Sequence, residues 1–272
     1  MRAWRVVVDA DDEDLATTAL WEAGTAGVEV RPTPGGQVAL VAYFGDASPE
    51  TPPPGLPAGA LVVPDAVPEV DWVARFRENF RSFRAGRFLV APPWDLPADG
   101  DSPDLLRVDP GRAFGTGTHE TTRLCLGALE ALARRRPLGR ALDLGSGTAL
   151  LAVAAARLGA GPLCASDIDP EATSASRHHA RLNAVRLSIV RADGGRGFRP
   201  GSFDLVLANL MALLLVDRST EIRALLAPGG ALVLSGLLVE DVPPVQAAFA
   251  ACGTPLELRD GEWAALVYET SS

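Results

Sequence analysis

The stretch Ala141-Leu-Asp-Leu-Gly-Ser-Gly-Thr-Ala-Leu-Leu-Ala-Val-Ala-Ala155 decides the fold. Ala141 to Leu144 read as a short buried strand. Gly145 and Gly147 read as a tight turn, and the small residues that follow as a helix. A second strand ends at Asp167, about 20 residues beyond the first glycine, the separation expected of an acid that meets a ribose. A strand, a glycine turn, a helix, a strand and an acid in that order hold an adenosine-bearing cofactor, either a dinucleotide or S-adenosylmethionine.

Within this unit each polar residue has a physical role. Gly145 and Gly147 let a ligand approach the backbone closely. The third position of the glycine pattern is Ala149, where a small side chain serves close packing of helix on strand. Asp143, at the strand end, is placed to fix the turn or a ligand's amino group. Asp167 can accept hydrogen bonds from both ribose hydroxyls. Asp169-Pro170 suits the cap and first turn of the next helix, so Asp169 takes a structural role. No arginine follows Asp167 closely, which speaks against a ribose 2′-phosphate and so against NADP. The helix start after Gly147 favours an anion such as the methionine carboxylate of S-adenosylmethionine.

Two further segments carry chemistry. Gly111-Arg-Ala-Phe-Gly-Thr-Gly-Thr-His-Glu-Thr-Thr122 precedes a helix expected over about 118–135. A helix start needs only one or two capping residues, so the surplus of glycine and threonine reads as a loop that covers a ligand. His119 is assigned to shaping that loop or, alternatively, to acting as a general base. A strand over Phe203–Ala208 runs into Asn209 at the carboxyl edge of the sheet, where open α/β sheets bind ligands. Asn209 there is either a helix cap or a carbonyl acceptor for a substrate amine. His178 and His179 stand beside Arg177 and Arg181 in a helix and read as surface.

From residue 85 onward strands and helices alternate. The expected fold is α/β: a Rossmann-like, mostly parallel sheet with helices on both faces, closed by an antiparallel hairpin turned at Asp260-Gly261. Residues 1–66 read as a small α+β domain with strands at Trp4–Val8, Val28–Val30, Val38–Phe44 and Leu61–Val63 and a helix at Asp11–Glu22. A proline-rich loop occupies 46–60. Trp72, Phe76 and Phe80 recur at four-residue spacing, so 67–84 reads as an amphipathic linker helix and 85–272 as the catalytic domain.

Composition narrows the partners. The 272-residue chain carries a net charge of −9 and is 47% hydrophobic. An acidic chain suits a basic protein partner better than direct contact with nucleic acid. No apolar run is long enough to span a bilayer, and the N-terminus is not a secretory signal. The three cysteines are far apart in apolar surroundings. They fit core thiols of a cytoplasmic protein, with no metal expected. A monomer is expected. The 25 Lys-plus-Arg positions are all arginine, which reads as codon bias ahead of the alternative that a lysine-modifying enzyme avoids modifying itself.

Taken in order and spacing, Phe114-Gly-Thr-Gly-Thr-His-Glu-Thr-Thr122, the Asp-Leu-Gly-Ser-Gly turn, Asp167-Ile-Asp169-Pro170 and Ala208-Asn209-Leu210 resemble the PrmA family. These are the bacterial class I methyltransferases that modify ribosomal protein L11. Asp71-Trp72 through Phe83, Ala91-Pro92-Pro93-Trp94 and Gly261-Glu262-Trp263 are similar too. The resemblance implies that Thr122, Gly145, Asp167 and Asn209 contact S-adenosylmethionine and that the N-terminal domain recognises substrate. It also implies methylation of an N-terminal α-amine and of lysine ε-amines at several sites, which calls for a movable recognition domain. Ala149 and the proline-rich insertion after Asp46 depart from the family pattern.

Four other readings compete. A dehydrogenase would need a second domain for its substrate. Adenine and glutamine-amide methyltransferases carry Asn/Asp-Pro-Pro-Tyr where this chain has Asn209-Leu-Met-Ala212. A lysine methyltransferase with another protein substrate, or a non-catalytic S-adenosylmethionine binder, would use most of the same residues.

Overall fold

Alternating buried side chains explain why one sheet carries two cores. In the computed structural model, β8 (Ala141–Leu144), β9 (Leu163–Asp167), β10 (Ser188–Arg191), β11 (Phe203–Asn209), β12 (Leu226–Leu238), β13 (Leu256–Asp260) and β14 (Trp263–Glu269) form a seven-stranded sheet of order β10-β9-β8-β11-β12-β14-β13. Residues 2–25, 27–33, 36–44, 52–65, 80–98, 102–110 and 119–270 are described. Leu205 and Leu207 of β11 face one core, with helices Glu120–Arg135 (α2) and Leu150–Arg157 (α3). Val206 and Ala208 face the other, with Leu215, Ile222, Val245 and Phe249. Successive strand residues point to opposite faces, so burial on both sides gives near-continuous apolar strands.

The first five strands of that order run parallel, and β14 pairs antiparallel with both β12 and β13. The expected hairpin turns at Asp260-Gly261, with Gly261 at φ +60°. Strand order reverses between β8 and β11, which places a crevice at their carboxyl ends.

The chain divides into two compact units, Met1–Phe76 and Arg77–Ser272. In the first, β1 (Arg2–Asp9), β2 (Gly27–Pro32), β3 (Gln37–Phe44) and β4 (Leu61–Asp65) form an antiparallel sheet of order β2-β3-β1-β4. Helix α1 (Glu13–Glu22) buries Ala16 and Leu20 against Trp4, Val6, Leu40 and Phe44.

Several expectations need correction. Most of the expected linker helix lies outside the described residues, at 66–79. Its end is not helical: Phe83–Ala85 forms strand β5, which turns at Gly86, φ +59°, and pairs with β6 (Phe88–Ala91). Strand β7 (Leu105–Arg107) joins them as a small separate sheet. After β11 come two short helices, Ala212–Asp217 (α5) and Ser219–Ala224 (α6), divided at Arg218. Arg218 turns there to meet Asp193 and Glu221.

His179 is not on the surface. In helix Pro170–Leu182 (α4), Ala172, Ser176, His179 and Ala180 share the buried stripe, whereas His178 is exposed. His179 Nε2 accepts the Asp109 N–H at 3.0 Å, and burial lowers its pKa. The spacing from 172 to 180 carried this signal.

Candidate active site

Strand β8 ends at Leu144 and the chain turns sharply, with Gly145 at φ +68° and Gly147 at φ +53°. A side chain at Gly145 would also collide with Cδ2 of Leu210. The Gly147 peptide is held on both sides. Its N–H donates to Asp167 Oδ2 at 2.9 Å, and its carbonyl accepts the Ser176 hydroxyl at 2.9 Å. Asp167 Oδ1 accepts the Asp169 N–H at 3.0 Å. Asp167 therefore ties the glycine turn to the next loop, and each carboxylate oxygen keeps further acceptor capacity. Asp169 caps α4 by accepting the Glu171 N–H, the structural role expected of it.

Asp143 is buried, and its Oδ2 accepts the Ala152 N–H at 3.0 Å. Of the two alternatives for this residue, the contact present is to the turn and helix start. It occupies one of the N–H groups otherwise free for a ligand anion. Burial, reinforced by the charge of Asp167, pushes the Asp143 carboxyl up to about 7 against the pull of that hydrogen bond. Ala149 packs among Ala152 and Ala165 as expected, but its φ of +59° lies in the left-handed region. The usual glycine at this position is thus a conformational preference as well as a packing one.

Across the crevice, His119 caps α2: its Nδ1 accepts the Thr121 N–H at 3.3 Å and lies 2.9 Å from Thr121 Oγ1. Its ring meets Trp263 edge-on, with centroids 4.6 Å apart. His119 thus serves as the N-cap of α2. Residues 111–118 of the threonine-glycine loop lie outside the described residues.

These elements enclose a cleft of about 730 Å³. It brings together the residues given a cofactor or catalytic role from the sequence: His119, Thr122, Asp143, Gly145, Gly147, Asp167 and Asn209. It adds Thr121, Ser166, Ile168, Met211, Gly236 and Trp263. Ser166 and Ile168 flank Asp167 at the end of β9, a position the strand pattern already implied. Gly236 and Trp263 come from distant sequence; Gly236 carried no local signal, and Trp263 only that of the family-like Gly261-Glu262-Trp263.

Three buried polar atoms of cleft residues, Asn209 Oδ1, Thr122 Oγ1 and Ser166 Oγ, have no hydrogen-bond partner among the described residues. An orphaned buried polar atom costs about 1–3 kcal/mol, so three around one cavity describe a site shaped for a polar ligand.

A family model described as ribosomal protein L11 methyltransferase (PrmA) matches residues 51–271. The chain belongs to this family. The L11 methyltransferase of Pelobacter propionicus is 40% identical over 227 residues, 80% of this chain and 72% of its own. That of Geobacter sulfurreducens is 40% identical over 237 residues, 86% and 77% of the two chains. The crystal structure of ribosomal protein L11 methylase from Lactobacillus delbrueckii subsp. bulgaricus superposes with a TM-score of 0.62 at 28% identity, covering 71% of this chain and 99% of that one.

Membership in the L11 methyltransferase family makes this protein a methyltransferase and retires the dehydrogenase reading. The absence of an arginine soon after Asp167 in sequence does not hold in space. Arg191 of β10 stands in register with Asp167, and its Nε donates to the Ile168 carbonyl at 3.0 Å. An arginine distant in sequence from Asp167 is its neighbour in the sheet.

Proposed function

We propose that this chain binds S-adenosylmethionine in the cleft and methylates amines of ribosomal protein L11, both the N-terminal α-amine and lysine ε-amines. The observation that carries the reading is the set of unpartnered acceptors around a glycine-turn cleft in a chain of this family. Bound S-adenosylmethionine would supply a methyl group already activated on a sulfonium. Asp167 would hold the ribose hydroxyls, Thr122 and the turn at Gly145 and Gly147 would line the remainder, and Asn209 Oδ1 would receive an N–H.

The protein's own contribution is alignment and exclusion of water. An amine reacts through its lone pair, so its proton must first leave. Neutralising a lysine at pH 7 costs about 4–5 kcal/mol and an α-amine about 1 kcal/mol. A carbonyl acceptor such as Asn209 Oδ1 orients the neutral amine by one N–H and leaves the lone pair free. The N-terminal amine is therefore the easier acceptor. A basic partner complements the net charge of −9.

The enzyme is proposed to act as a cytoplasmic monomer. The three cysteines are buried and unbridged, and no helix among the described residues is long and apolar enough to cross a membrane. The N-terminal unit is proposed as the recognition module. Incubation with labelled S-adenosylmethionine and purified L11, followed by mass-spectrometric mapping, tests the reading. Label on α- and ε-amines of L11 supports it, and an unlabelled L11 rejects it.

A further inference from the structure

The hydroxyl of Thr121 sits between two cleft residues. It lies 2.9 Å from His119 Nδ1 and accepts from Asn209 Nδ2 at 3.3 Å, and Thr121 is 1% exposed. A hydroxyl has one hydrogen to give. His119 Nδ1 already accepts the Thr121 backbone N–H in the helix cap, so this nitrogen carries a lone pair and not a proton. The Thr121 hydrogen therefore goes to His119, and Thr121 Oγ1 can serve Asn209 only as an acceptor. That obliges Asn209 to turn its NH₂ toward Thr121 and leaves its carbonyl oxygen as the free group. Asn209 Oδ1 is the buried atom without a partner.

We propose that Thr121 is a positioning residue, which fixes the Asn209 amide so that a carbonyl, and not an NH₂, is offered to the ligand. An asparagine amide is nearly symmetric in shape, and without a directional partner it presents a donor as readily as an acceptor. A donor would repel an ammonium and offer nothing to an amine N–H. The chain His119–Thr121–Asn209 links the helix cap to the end of β11. It explains why the cap is a histidine: this ring accepts from the helix backbone and from the hydroxyl at one nitrogen. The inference rests on the proposed role of Asn209, but its two tests can fail separately.

The first test needs no turnover. In ¹⁵N-histidine-labelled protein, His119 is expected to be bare at Nδ1 and protonated at Nε2, with His119→Gln used for assignment among the three histidines. Thr121→Val should shift the side-chain amide resonances of Asn209. A proton on Nδ1, or unmoved Asn209 resonances, overturns the proposal even if L11 proves not to be the substrate.

The second test is kinetic. Thr121→Val should lower kcat about ten-fold with little change in cofactor affinity, and Thr121→Ser, which keeps the hydroxyl, should recover most of it. In an Asn209→Ala background Thr121→Val should cost nothing further. A loss of equal size in that background, or no rescue by serine in a variant of parental Tm, would show that Thr121 does not act through Asn209.

Discussion

Asp143 makes folding stability pH-dependent. Folded, it keeps its proton up to about pH 7; an ordinary aspartate releases it near 3.8. Between those values the folded state binds more protons than the unfolded one, so this group subtracts stability as pH rises, by at most about 1.4 kcal/mol per pH unit, and adds no slope above the upper value. Asp143→Asn keeps an acceptor for the Ala152 N–H and has no proton to lose. Its stability relative to the parent should climb from about pH 4 to about pH 7 and then level off. Urea denaturation across that range checks it; a constant difference would mean that Asp143 ionises as freely as in the unfolded chain.

Asp167 and Asn209 should separate binding from rate. Asp167→Ala removes the proposed ribose acceptor and the anchor of the Gly147 N–H, and calorimetry should show cofactor affinity reduced about a hundred-fold. Asn209→Ala should lower turnover about ten-fold or more, a larger effect than its effect on that affinity. Wild-type affinity in the first variant, or a wild-type rate in the second, would remove the residue from its role.

Among elements, the long strand β12 shows how a distant segment builds the site. Its pairing with β14 is irregular between Leu234 and Leu237, and Gly236 sits there at φ +84°. A Cβ on Gly236 would stand 2.5 Å from the Leu210 carbonyl oxygen and 2.9 Å from its nitrogen. Gly236 thus lets the backbone after Asn209 lie flat on β12. Gly236→Ala must move Leu210 and Asn209 with it, and should cost about 2–4 kcal/mol of stability together with activity. Gly261→Ala is the control: its φ is +60°, but nothing lies within 4 Å of the added carbon. It should lose about 1–2 kcal/mol and keep its methylation rate. Equal activity losses in the two variants would disconnect Gly236 from the site.

The legibility of elements followed their periodicity. Strands of the parallel sheet are runs of small and branched apolar residues between turn signals, so Ala141–Leu144 and Phe203–Ala208 were plain to read. The end of the expected linker helix was not, because Phe80 and Phe83 fit a helical stripe as well as they fit a hairpin. Only Gly86 and pairing with Phe88–Ala91 select the strand. His179 lies between arginines that suggest a surface, although its spacing from Ala172 and Ser176 puts it on the inward stripe.

At the scale of the molecule, each unit has its own core. Trp4, Leu20, Leu40 and Phe44 close the first, and the second is built on both faces of the seven-stranded sheet. All the cleft residues belong to the second unit. A chain beginning at Arg77 should therefore retain cofactor affinity by calorimetry and lose L11 methylation. Methylation at the full-length rate would exclude the N-terminal unit from substrate choice.

The glycine turn, the acid at the end of the next strand, the asparagine at the sheet edge and the family resemblance they carry are all legible along the chain. These are local: a turn needs glycine where φ is positive, and a strand end needs its polar residue at one position. Tertiary structure alone decided which groups are already spoken for. Asp143 is consumed by a helix N–H, Arg191 stands beside Asp167, Gly236 and Trp263 join the cleft, and the Thr121 hydroxyl leaves the Asn209 carbonyl free. Hydrogen-bond direction and burial depend on partners far apart in the chain, and no spacing along it records them.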